Sequence, residues 1–285
     1  MTGRIVVLGP GAVGGTLAVR LARAGVPVVV VATPASAAAI RADGITLVAP
    51  GGSSTERVDV VERLVDPVAL LLVAVKQAGL ETALERVATE PEHVVPLLNG
   101  LEHMELLRTR FGDAVAAGSV GRFEGYRESP TRIVQTTPGL LLTTSSPTAA
   151  ELLGVDGIET RTEGNDRLVL WEKAARLAPL TAVSALTQRP LGELRADADW
   201  RPVLEAAVAE ACAVATADGA PVTPAEQWAM IDRMPPTLLT SAARDVAAGR
   251  PSELDAIVGG VVRAGERLNV PTPVLAGLLE ELKGT

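Results

Sequence analysis

Uninterrupted apolar runs alternate with segments of helical spacing through the first half of the chain. Apolar runs that predict strands occupy 4–8, 26–31, 69–75, 93–97 and 114–120. Helical spacing predicts helices over 16–24, 77–88 and 102–110. Because strands that are apolar on both faces are typical of a parallel sheet covered by helices, this half predicts an α/β domain with a mostly parallel sheet. Two further strands, expected to run antiparallel, are predicted near 133–136 and 140–143.

The second half of the chain has helical periodicity throughout. Helices are predicted at 168–187, 201–218, 224–234, 237–248, 253–268 and 275–283. An α/β domain over 1–165 is therefore expected to precede an all-helical domain over 166–285. The alanine-rich stretches follow helical periods, so they are not interpreted as disorder.

Composition narrows the class of protein. A chain of 285 residues with 47% hydrophobic and 21% charged residues is typical of a soluble globular protein that is long enough for two domains. Its net charge of -8 disfavours nucleic-acid binding, which usually needs a basic face. No apolar run approaches the roughly 18 residues of a membrane span, and no signal-peptide layout is visible. The single cysteine, Cys212, excludes an internal disulfide and favours a reducing, cytoplasmic setting, with its side chain filling a helix interior.

A glycine-rich turn follows the first predicted strand and opens the first predicted helix. Gly9, Gly11 and Gly14, with Ala12 and Val13 between them, form the pattern G-x-G-x-x-G. In this position glycines permit a tight turn and a close backbone approach, and the helix start offers N–H donors to a pyrophosphate. The turn therefore predicts a Rossmann-type dinucleotide-binding domain. A glycine-rich turn that holds no ligand is the alternative.

The end of the second predicted strand bears on the choice of cofactor. An NAD-specific site usually carries an acidic residue about twenty residues beyond the glycine motif, whereas this strand is followed by Ala-Thr-Pro-Ala-Ser over 32–36. A 2′-phosphate would have to use the hydroxyls of Thr33 and Ser36, or Arg41 reaching back. The missing acid favours NADP as the cofactor. For Arg41 the alternative is an ordinary solvated helix residue.

One lysine lies in an apolar setting. Lys173 falls within Leu-Trp-Glu-Lys-Ala-Ala-Arg-Leu-Ala-Pro over 170–179, on a helix that is predicted to be buried. Burying an ammonium group without partners is costly, so such a lysine either extends to water or is held there for its proton. Desolvation would lower its pKa and make it a better acid near neutral pH.

Four further motifs follow the glycine turn along the chain. Lys76 ends the apolar strand at 73–75, and Asn99 lies in Leu-Leu-Asn-Gly-Leu. Lys173 lies in Trp-Glu-Lys. The last motif has two parts: Ser241 lies in Thr-Ser-Ala-Ala-Arg-Asp over 240–245, and Glu253 lies in Gly-Arg-Pro-Ser-Glu-Leu-Asp over 249–255. The order and spacing of these motifs resemble the ketopantoate reductase family (2-dehydropantoate 2-reductases). The resemblance runs from about residue 3 to residue 283.

The resemblance implies an NADP-dependent oxidoreductase of pantothenate biosynthesis that transfers hydride to the carbonyl of a small-molecule 2-oxo acid, or a relative with an altered substrate. It also implies a helical domain like the C-terminal part of 6-phosphogluconate dehydrogenase, which binds substrate and forms a homodimer. By this similarity Lys173 is the catalytic lysine and Glu253 its carboxylate companion. Asn99 and Ser241 would hold the substrate, and Lys76 would line the cofactor side. Asn99 and Glu253 are candidate cofactor contacts as well, as is Thr33.

The helix after the lysine departs from the family pattern. Family members usually carry asparagines at the positions of Leu177 and Thr181, four and eight residues after the lysine, and at those of Leu191 and Val258. Thr181 remains a candidate substrate contact, but the other three side chains are apolar. Without these amides, a polar substrate such as ketopantoate would leave buried polar groups unpaired, at a cost of roughly 1–3 kcal/mol each. The substrate is therefore expected to be a more apolar 2-oxo acid or ketone than ketopantoate. Arg176 is either a replacement anchor for a carboxylate or an exposed helix arginine.

The sequence leaves other classes of function open. The lost asparagines favour a cofactor-binding sensor or regulatory protein without turnover, whereas the retained Lys173 and Glu253 favour an enzyme. An NAD-dependent dehydrogenase of hydroxy acids or opines is disfavoured by the missing acid after the second strand. Glu253 could also serve only to complement the dipole of a helix start. The two histidines, His93 and His103, have no third ligand at suitable spacing, so no metal site is expected.

Overall fold

A computed structural model describes residues 3–284 of the chain, which form two compact units. The first unit contains the residues up to Leu98 together with His103–Asp166. The second contains Asn99–Glu102 and the residues from Arg167 onward. The predicted fold class, a mostly parallel α/β domain of Rossmann type followed by a helical domain, is confirmed. The short segment Asn99–Glu102 falls within the first predicted domain but groups with the helices.

The strands of the described residues all lie in the first unit. They are β1 (Ile5–Leu8), β2 (Val28–Val31), β3 (Ile45–Ala49), β4 (Gly52–Glu56), β5 (Asp59–Val61), β6 (Leu70–Val73), β7 (His93–Pro96), β8 (Gly118–Gly121), β9 (Gly125–Ser129), β10 (Arg132–Gln135), β11 (Leu140–Thr144) and β12 (Ile158–Thr162). The largest sheet is parallel, with five strands in the order β5-β2-β1-β6-β7. Leu8 pairs with both Val31 and Val73, so β1, β2 and β6 end side by side at one edge.

Burial on both faces explains the apolar sequence of the central strands. β1, β2 and β6 read Ile-Val-Val-Leu, Val-Val-Val-Val and Leu-Leu-Leu-Val, and every one of these residues is buried. β-Branched side chains suit an extended strand that is covered on both sides. The α-helices of this unit are α1 (Ala12–Arg23), α2 (Pro34–Asp43), α3 (Leu80–Leu84), α4 (His103–Phe111) and α5 (Pro147–Leu153).

Two smaller mixed sheets complete the first unit. Their strand orders are β4-β3-β10-β9 and β12-β11-β8. The strands predicted near 133–136 and 140–143 are β10 and β11. As expected, β10 runs antiparallel to β9, and β11 runs antiparallel to β8. On their other sides β10 and β11 pair in parallel with β3 and β12. Residue alternation indicates which face of a strand is buried but not the direction of its neighbours, which explains the difference.

From Arg167 onward the described chain is helical apart from its connections. Its helices are α6 (Asp166–Thr187), α7 (Leu191–Ala196), α8 (Trp200–Ala217), α9 (Pro224–Asp232), α10 (Ser241–Ala247), α11 (Gly260–Leu268) and α12 (Pro273–Gly284). Trp171 of α6 is 1% exposed, and its Nε1 donates to Asp218 Oδ2 at 2.8 Å. Cys212 is buried in the same core, as predicted. Within residues 3–284, no helix has the length and apolar character needed to cross a bilayer.

The helix predicted over 253–268 has an irregular start. Asp255–Gly259 forms a π-helical turn, and α11 continues from it. The carbonyl of Glu253 accepts a hydrogen bond from Ile257 N–H at 2.9 Å, so Glu253 lies at the very beginning of this helical segment. Single π turns inside helices are frequent at functional sites, and this one begins two residues after the predicted site residue Glu253.

Candidate active site

The glycine turn leaves no room for side chains at two positions. Gly9 has a φ of +95°, and a Cβ on it would lie 2.5 Å from Val75 Cγ1. A Cβ on Gly14 would lie 2.1 Å from the carbonyl oxygen of Gly9. Gly9 N–H donates to Val31 O at 3.0 Å, which fixes the turn against the end of β2. Glycine is therefore required for the backbone to turn this closely between the strands.

The helix α1 begins directly after this turn. Its N-cap residue is Gly11, which has no side chain to cap the first N–H groups, and the first turn, which begins with Ala12 and Val13, carries no acid. N–H donors at a helix start without a neighbouring carboxylate suit the phosphates of a dinucleotide. The predicted cofactor-binding residues of the turn thus form one backbone cradle at the carboxyl edge of the parallel sheet.

The carboxyl end of β2 carries hydroxyl groups and an unexpected arginine. Thr33 Oγ1 donates to Ser36 Oγ at 3.2 Å, and Arg127 Nη2 donates to the same Ser36 Oγ at 2.9 Å. Arg41 faces other partners, since its guanidinium contacts Glu62 Oε1 at 3.3 Å and a backbone carbonyl of β5. Sequence reasoning missed Arg127 because it lies 91 residues after Ser36 and no motif marks it.

Lys76 lies just beyond β6, at the same edge of the sheet. It is exposed and precedes a 3₁₀ turn over Gln77–Gly79, with its carbonyl accepting a hydrogen bond from Gly79 N–H at 3.0 Å. The predicted helix over 77–88 is reduced to this turn and the short α3. The role of Lys76 on the cofactor side stays a prediction.

In the second unit, Lys173, Asn99 and Glu253 form a connected array. Lys173 Nζ donates to Asn99 Oδ1 at 2.8 Å. Asn99 Nδ2 in turn donates to Glu253 Oε2 at 3.3 Å. All three residues are partly buried. Among the described residues, the lysine and the carboxylate are thus linked through the amide and not by a direct ion pair.

The environment of Lys173 lowers its pKa from 10.5 to about 8. Burial is the largest cause, because it disfavours the charged form. The positive charge of Arg176, one helical turn away, lowers the pKa further, while the negative charge of Glu253 raises it. The ammonium group is therefore a stronger acid than an exposed lysine and is still mostly protonated at neutral pH.

A second set of contacts holds the segment 99–102 against the π turn. Gly100 has a φ of +90°, and a Cβ on it would lie 2.5 Å from a carbonyl oxygen of that turn. Glu102 accepts two hydrogen bonds from Arg263, at 2.7 Å from Nε and 2.8 Å from Nη2. Arg263 Nη1 also donates to Asp255 Oδ1 at 3.0 Å. Arg263 thereby joins the segment that carries the amide to the turn that follows the carboxylate.

Among the described residues, the other predicted substrate residues, Ser241 and Thr181, make no hydrogen bond to this array. Ser241 is exposed at the first position of α10, whereas the preceding Thr240 is buried and caps that helix through Ala243 N–H. Thr181 is fully buried, and its Oγ1 has no hydrogen-bond partner. Of the three predicted substrate contacts, only Asn99 is hydrogen-bonded to Lys173 within residues 3–284.

The positions that depart from the family pattern differ in exposure. Leu177 is partly exposed on α6, whereas Leu191 is 2% exposed and Val258 is fully buried in the helical core. Arg176 is partly buried and donates to Glu172 O and to Gln227 Oε1, the latter at 3.2 Å. It is therefore held within the helical unit by these hydrogen bonds, and the interpretation as a plain exposed helix arginine was wrong.

Residues 3–284 contain no cluster of three or more histidine, cysteine, aspartate or glutamate side chains that could hold a metal ion. His93 begins β7, and His103 is buried at the start of α4.

In the second unit, hydrogen bonds link the Lys173 ammonium to the Asn99 amide and that amide to the Glu253 carboxylate. In the first unit, the glycine turn lies between the first strand and first helix of a Rossmann-type parallel sheet, which is typical of dinucleotide-binding oxidoreductases. The chain belongs to the ketopantoate reductase family. The family model "Ketopantoate reductase PanE/ApbA" matches residues 5–145, and "Ketopantoate reductase PanE/ApbA C terminal" matches residues 165–285. The resemblance inferred from the sequence motifs is confirmed.

Individual relatives agree with this assignment. The 2-dehydropantoate 2-reductase of Caulobacter vibrioides is 32% identical over an alignment of 285 positions that covers 95% of each protein. The crystal structure of a PanE/ApbA family ketopantoate reductase from Ralstonia eutropha JMP134 has a TM-score of 0.85 at 28% identity, covering 98% of this chain and 97% of that one. A ternary structure of D-mandelate dehydrogenase with NADH and anilino(oxo)acetate has a TM-score of 0.88 at 19% identity, covering 99% and 97%. This last similarity is one of fold alone.

Proposed function

We propose that this protein is a reductase that uses NADPH to reduce the carbonyl group of a 2-oxo acid, as a 2-dehydropantoate 2-reductase or a close relative with an altered substrate. The observation that carries the proposal is the partly buried ammonium of Lys173, whose pKa is about 8 and whose Nζ donates to Asn99 Oδ1 at 2.8 Å. Membership of the ketopantoate reductase family supports the same class of reaction.

The first unit fits a dinucleotide cofactor. The close approach of Gly9 and Gly14 to neighbouring backbone, and the uncapped start of α1, suit a pyrophosphate at Gly11, Ala12 and Val13. Thr33 and Lys76 are proposed as further contacts from the ends of β2 and β6. When bound, the cofactor supplies a hydride to the carbonyl carbon of the substrate. The missing acid after β2 supports NADP in preference to NAD.

Lys173 is proposed as the proton donor. Hydride addition places negative charge on the carbonyl oxygen, so a cation that is already oriented stabilises the transition state. The Lys173 ammonium can hydrogen-bond to that oxygen and then give it a proton, and a pKa of about 8 brings its acidity closer to the working pH. General acid catalysis of this kind typically contributes about 10²–10⁴-fold to the rate.

Asn99 and Glu253 are proposed to orient the lysine. Asn99 Oδ1 accepts a hydrogen bond from one of the three ammonium N–H groups. The other two N–H groups are left to donate to the substrate carbonyl oxygen. Glu253 fixes the Asn99 side chain by accepting from Nδ2, so that the amide oxygen faces the lysine. The carboxylate also keeps Lys173 charged in the free enzyme, because its negative charge opposes the effect of burial.

The substrate is proposed to be a 2-oxo acid with an apolar side chain. Leu177 is partly exposed one turn beyond Lys173 on the same face of α6, where it favours an apolar neighbour. Asn99 and Ser241 are proposed to contact the polar part of the substrate. Thr181, two turns beyond Lys173, has a buried hydroxyl without a partner, and a substrate group that reached it would satisfy this hydroxyl.

The experiment that tests the function is a screen of 2-oxo acids for NADPH consumption, with NADH run in parallel. In wild type at least one 2-oxo acid with an apolar side chain is expected to be reduced faster than ketopantoate. The Lys173→Met variant is expected to lose at least about 10²-fold in kcat because the proton donor is gone, with NADPH affinity nearly unchanged.

A matched control replaces a lysine outside this array. Lys283 is exposed in α12 and pairs with Glu280, so Lys283→Met should retain wild-type kcat. Equal activity of Lys173→Met and wild type would show that Lys173 is not the proton donor. If NADPH binds but no 2-oxo acid is reduced, the protein is instead a cofactor-binding sensor without turnover.

A further inference from the structure

The carboxyl end of β2 is the part of the first unit that distinguishes the two nicotinamide dinucleotides. In Rossmann-type folds the residues just after this strand face the adenosine ribose, whose 2′ position carries a hydroxyl in NAD and a phosphate in NADP. Here β2 ends at Val31 and is followed by Thr33 and Ser36, whose hydroxyls are hydrogen-bonded to each other at 3.2 Å. No acidic residue lies in this stretch of the sequence.

Arg127 reaches this point from a different sheet. It lies on β9, the edge strand of the sheet β4-β3-β10-β9, and its Nη2 donates to Ser36 Oγ at 2.9 Å. A second contact, from Nε to the backbone carbonyl of Ser129 at 3.2 Å, steadies the guanidinium. Partial burial lowers the pKa of Arg127, but a guanidinium remains protonated at neutral pH.

The charge of Arg127 has no carboxylate partner among the described residues, unlike that of its neighbours. Arg132 on the adjacent strand β10 pairs with Glu128, and Arg122 just before β9 pairs with Glu159. A guanidinium has five N–H donors, and the two contacts of Arg127 leave others to meet a ligand. Within residues 3–284, this arginine is thus an exposed cation that two hydrogen bonds orient and that no carboxylate compensates.

We propose that Arg127 binds the 2′-phosphate of NADP(H) and is the residue that makes this protein prefer NADPH to NADH. The inference rests on the proposed function for the presence of the cofactor, and it adds the residue that selects it. A phosphomonoester dianion pairs with a planar guanidinium through two parallel N–H···O bonds. Ser36 supplies a hydroxyl donor on the same side, because its Oγ accepts from Thr33 and from Arg127 and keeps its own hydrogen. Arg41, the sequence-based candidate, is engaged by Glu62.

The test measures equilibrium binding by calorimetry, without any substrate. Four ligands are compared: NADPH, NADH, adenosine 2′,5′-bisphosphate and AMP. In Arg127→Met, the Kd for NADPH and for the bisphosphate is expected to rise about tenfold to a hundredfold, because hydrogen bonds to a charged group are lost. The Kd for NADH and AMP should stay within about twofold of wild type. Arg127→Lys should retain part of the preference, because it keeps the charge without the planar fork.

Arg41→Met is the matched control, because it removes an arginine of α2 that is already paired with a carboxylate. It should leave the ratio of the NADPH and NADH affinities unchanged. The inference is overturned if Arg127→Met keeps the wild-type ratio, or if it weakens NADPH and NADH equally. Unchanged NADH binding also shows that the variant is folded.

The outcomes separate this inference from the proposed function. Loss of bisphosphate binding in Arg127→Met supports the role of Arg127 even if no 2-oxo acid is ever reduced. A wild-type protein that binds NADPH and NADH equally tightly overturns both the role of Arg127 and the choice of NADP. Reduction of a 2-oxo acid with NADH would then still support the reductase.

Discussion

Lys173 is subject to two influences that lower its pKa and one that raises it. Burial and the charge of Arg176 favour the neutral amine, and Glu253 favours the ammonium. Glu253 acts across Asn99, which donates to the carboxylate and accepts from the lysine. The balance yields a group that is protonated near pH 7 and loses its proton in the mildly alkaline range. The pH dependence of the reaction should report this balance directly.

The kcat/KM for reduction is expected to fall as pH rises through about 8, because the acid form of Lys173 is lost there. In Glu253→Gln the alkaline limb should move to lower pH, since the charge that raises the lysine pKa is gone. The value of kcat on the acid plateau should drop about tenfold because the orientation of Asn99 is weakened.

The pH profile of NADPH consumption measures both effects. Glu266→Gln is a suitable control, because this acidic residue is exposed on α11. Its alkaline limb should coincide with that of wild type. An unmoved limb in Glu253→Gln would show that the carboxylate does not influence the proton donor.

At the scale of elements, the array depends on how the segment 99–102 and the π turn are joined. Gly100 allows the two backbones to meet, and Arg263 of α11 contacts both Glu102 and Asp255. Asn99 begins the segment 99–102, and Glu253 lies two residues before the π turn. The contacts between the segment and the turn therefore determine how far the Asn99 amide lies from the Glu253 carboxylate. Its integrity should therefore matter to the chemistry more than to the cofactor.

Arg263→Met is expected to reduce kcat about tenfold while leaving the Kd for NADPH unchanged, because the Glu102 and Asp255 contacts are lost and the cofactor cradle belongs to the first unit. Steady-state kinetics and cofactor titration separate the two quantities. Arg267→Met removes an exposed arginine from the same helix and should behave as wild type. A parallel loss in both variants would indicate general damage to α11.

These elements also show where sequence reasoning succeeds and where it stops. The apolar strands β1, β2 and β6 and the glycine turn were predictable, because burial on both faces and close packing each leave a local signature. Strand β4 is polar and largely exposed, so it has no such signature. The contacts of Arg127 with Ser36 and of Arg263 with Glu102 span 91 and 161 residues. Neither can be inferred from local pattern, whereas Lys173 is conspicuous because an ammonium among apolar residues needs a reason.

For the molecule as a whole, an ammonium held at a lowered pKa weakens the helical unit that contains it. Trp171, Ala175 and Ala178 lie in the core on the same helix, α6, and their burial stabilises the fold. Lys173 opposes this, since its charged form is less favourable in the folded state than in water. Such a local cost is common where a residue is retained for function.

The cost should appear as a pH-dependent difference in the free energy of unfolding between wild type and Lys173→Met. Below pH 8 the lysine is protonated in both the folded and the unfolded state, so the cost is fully present. Between pH 8 and about 10.5 the unfolded chain binds a proton that the folded protein does not, and wild type gains stability relative to the variant as pH rises. At about 1.4 kcal/mol per pKa unit, the shift from 10.5 to about 8 corresponds to a gain of about 3 kcal/mol.

Urea unfolding at pH 7, 9 and 10.5 measures this gain in the free energy of unfolding, with Lys283→Met as an exposed-lysine control that should show no trend. A stability difference between wild type and Lys173→Met that stays constant over this range would mean that the lysine is as well solvated in the folded protein as in the unfolded chain.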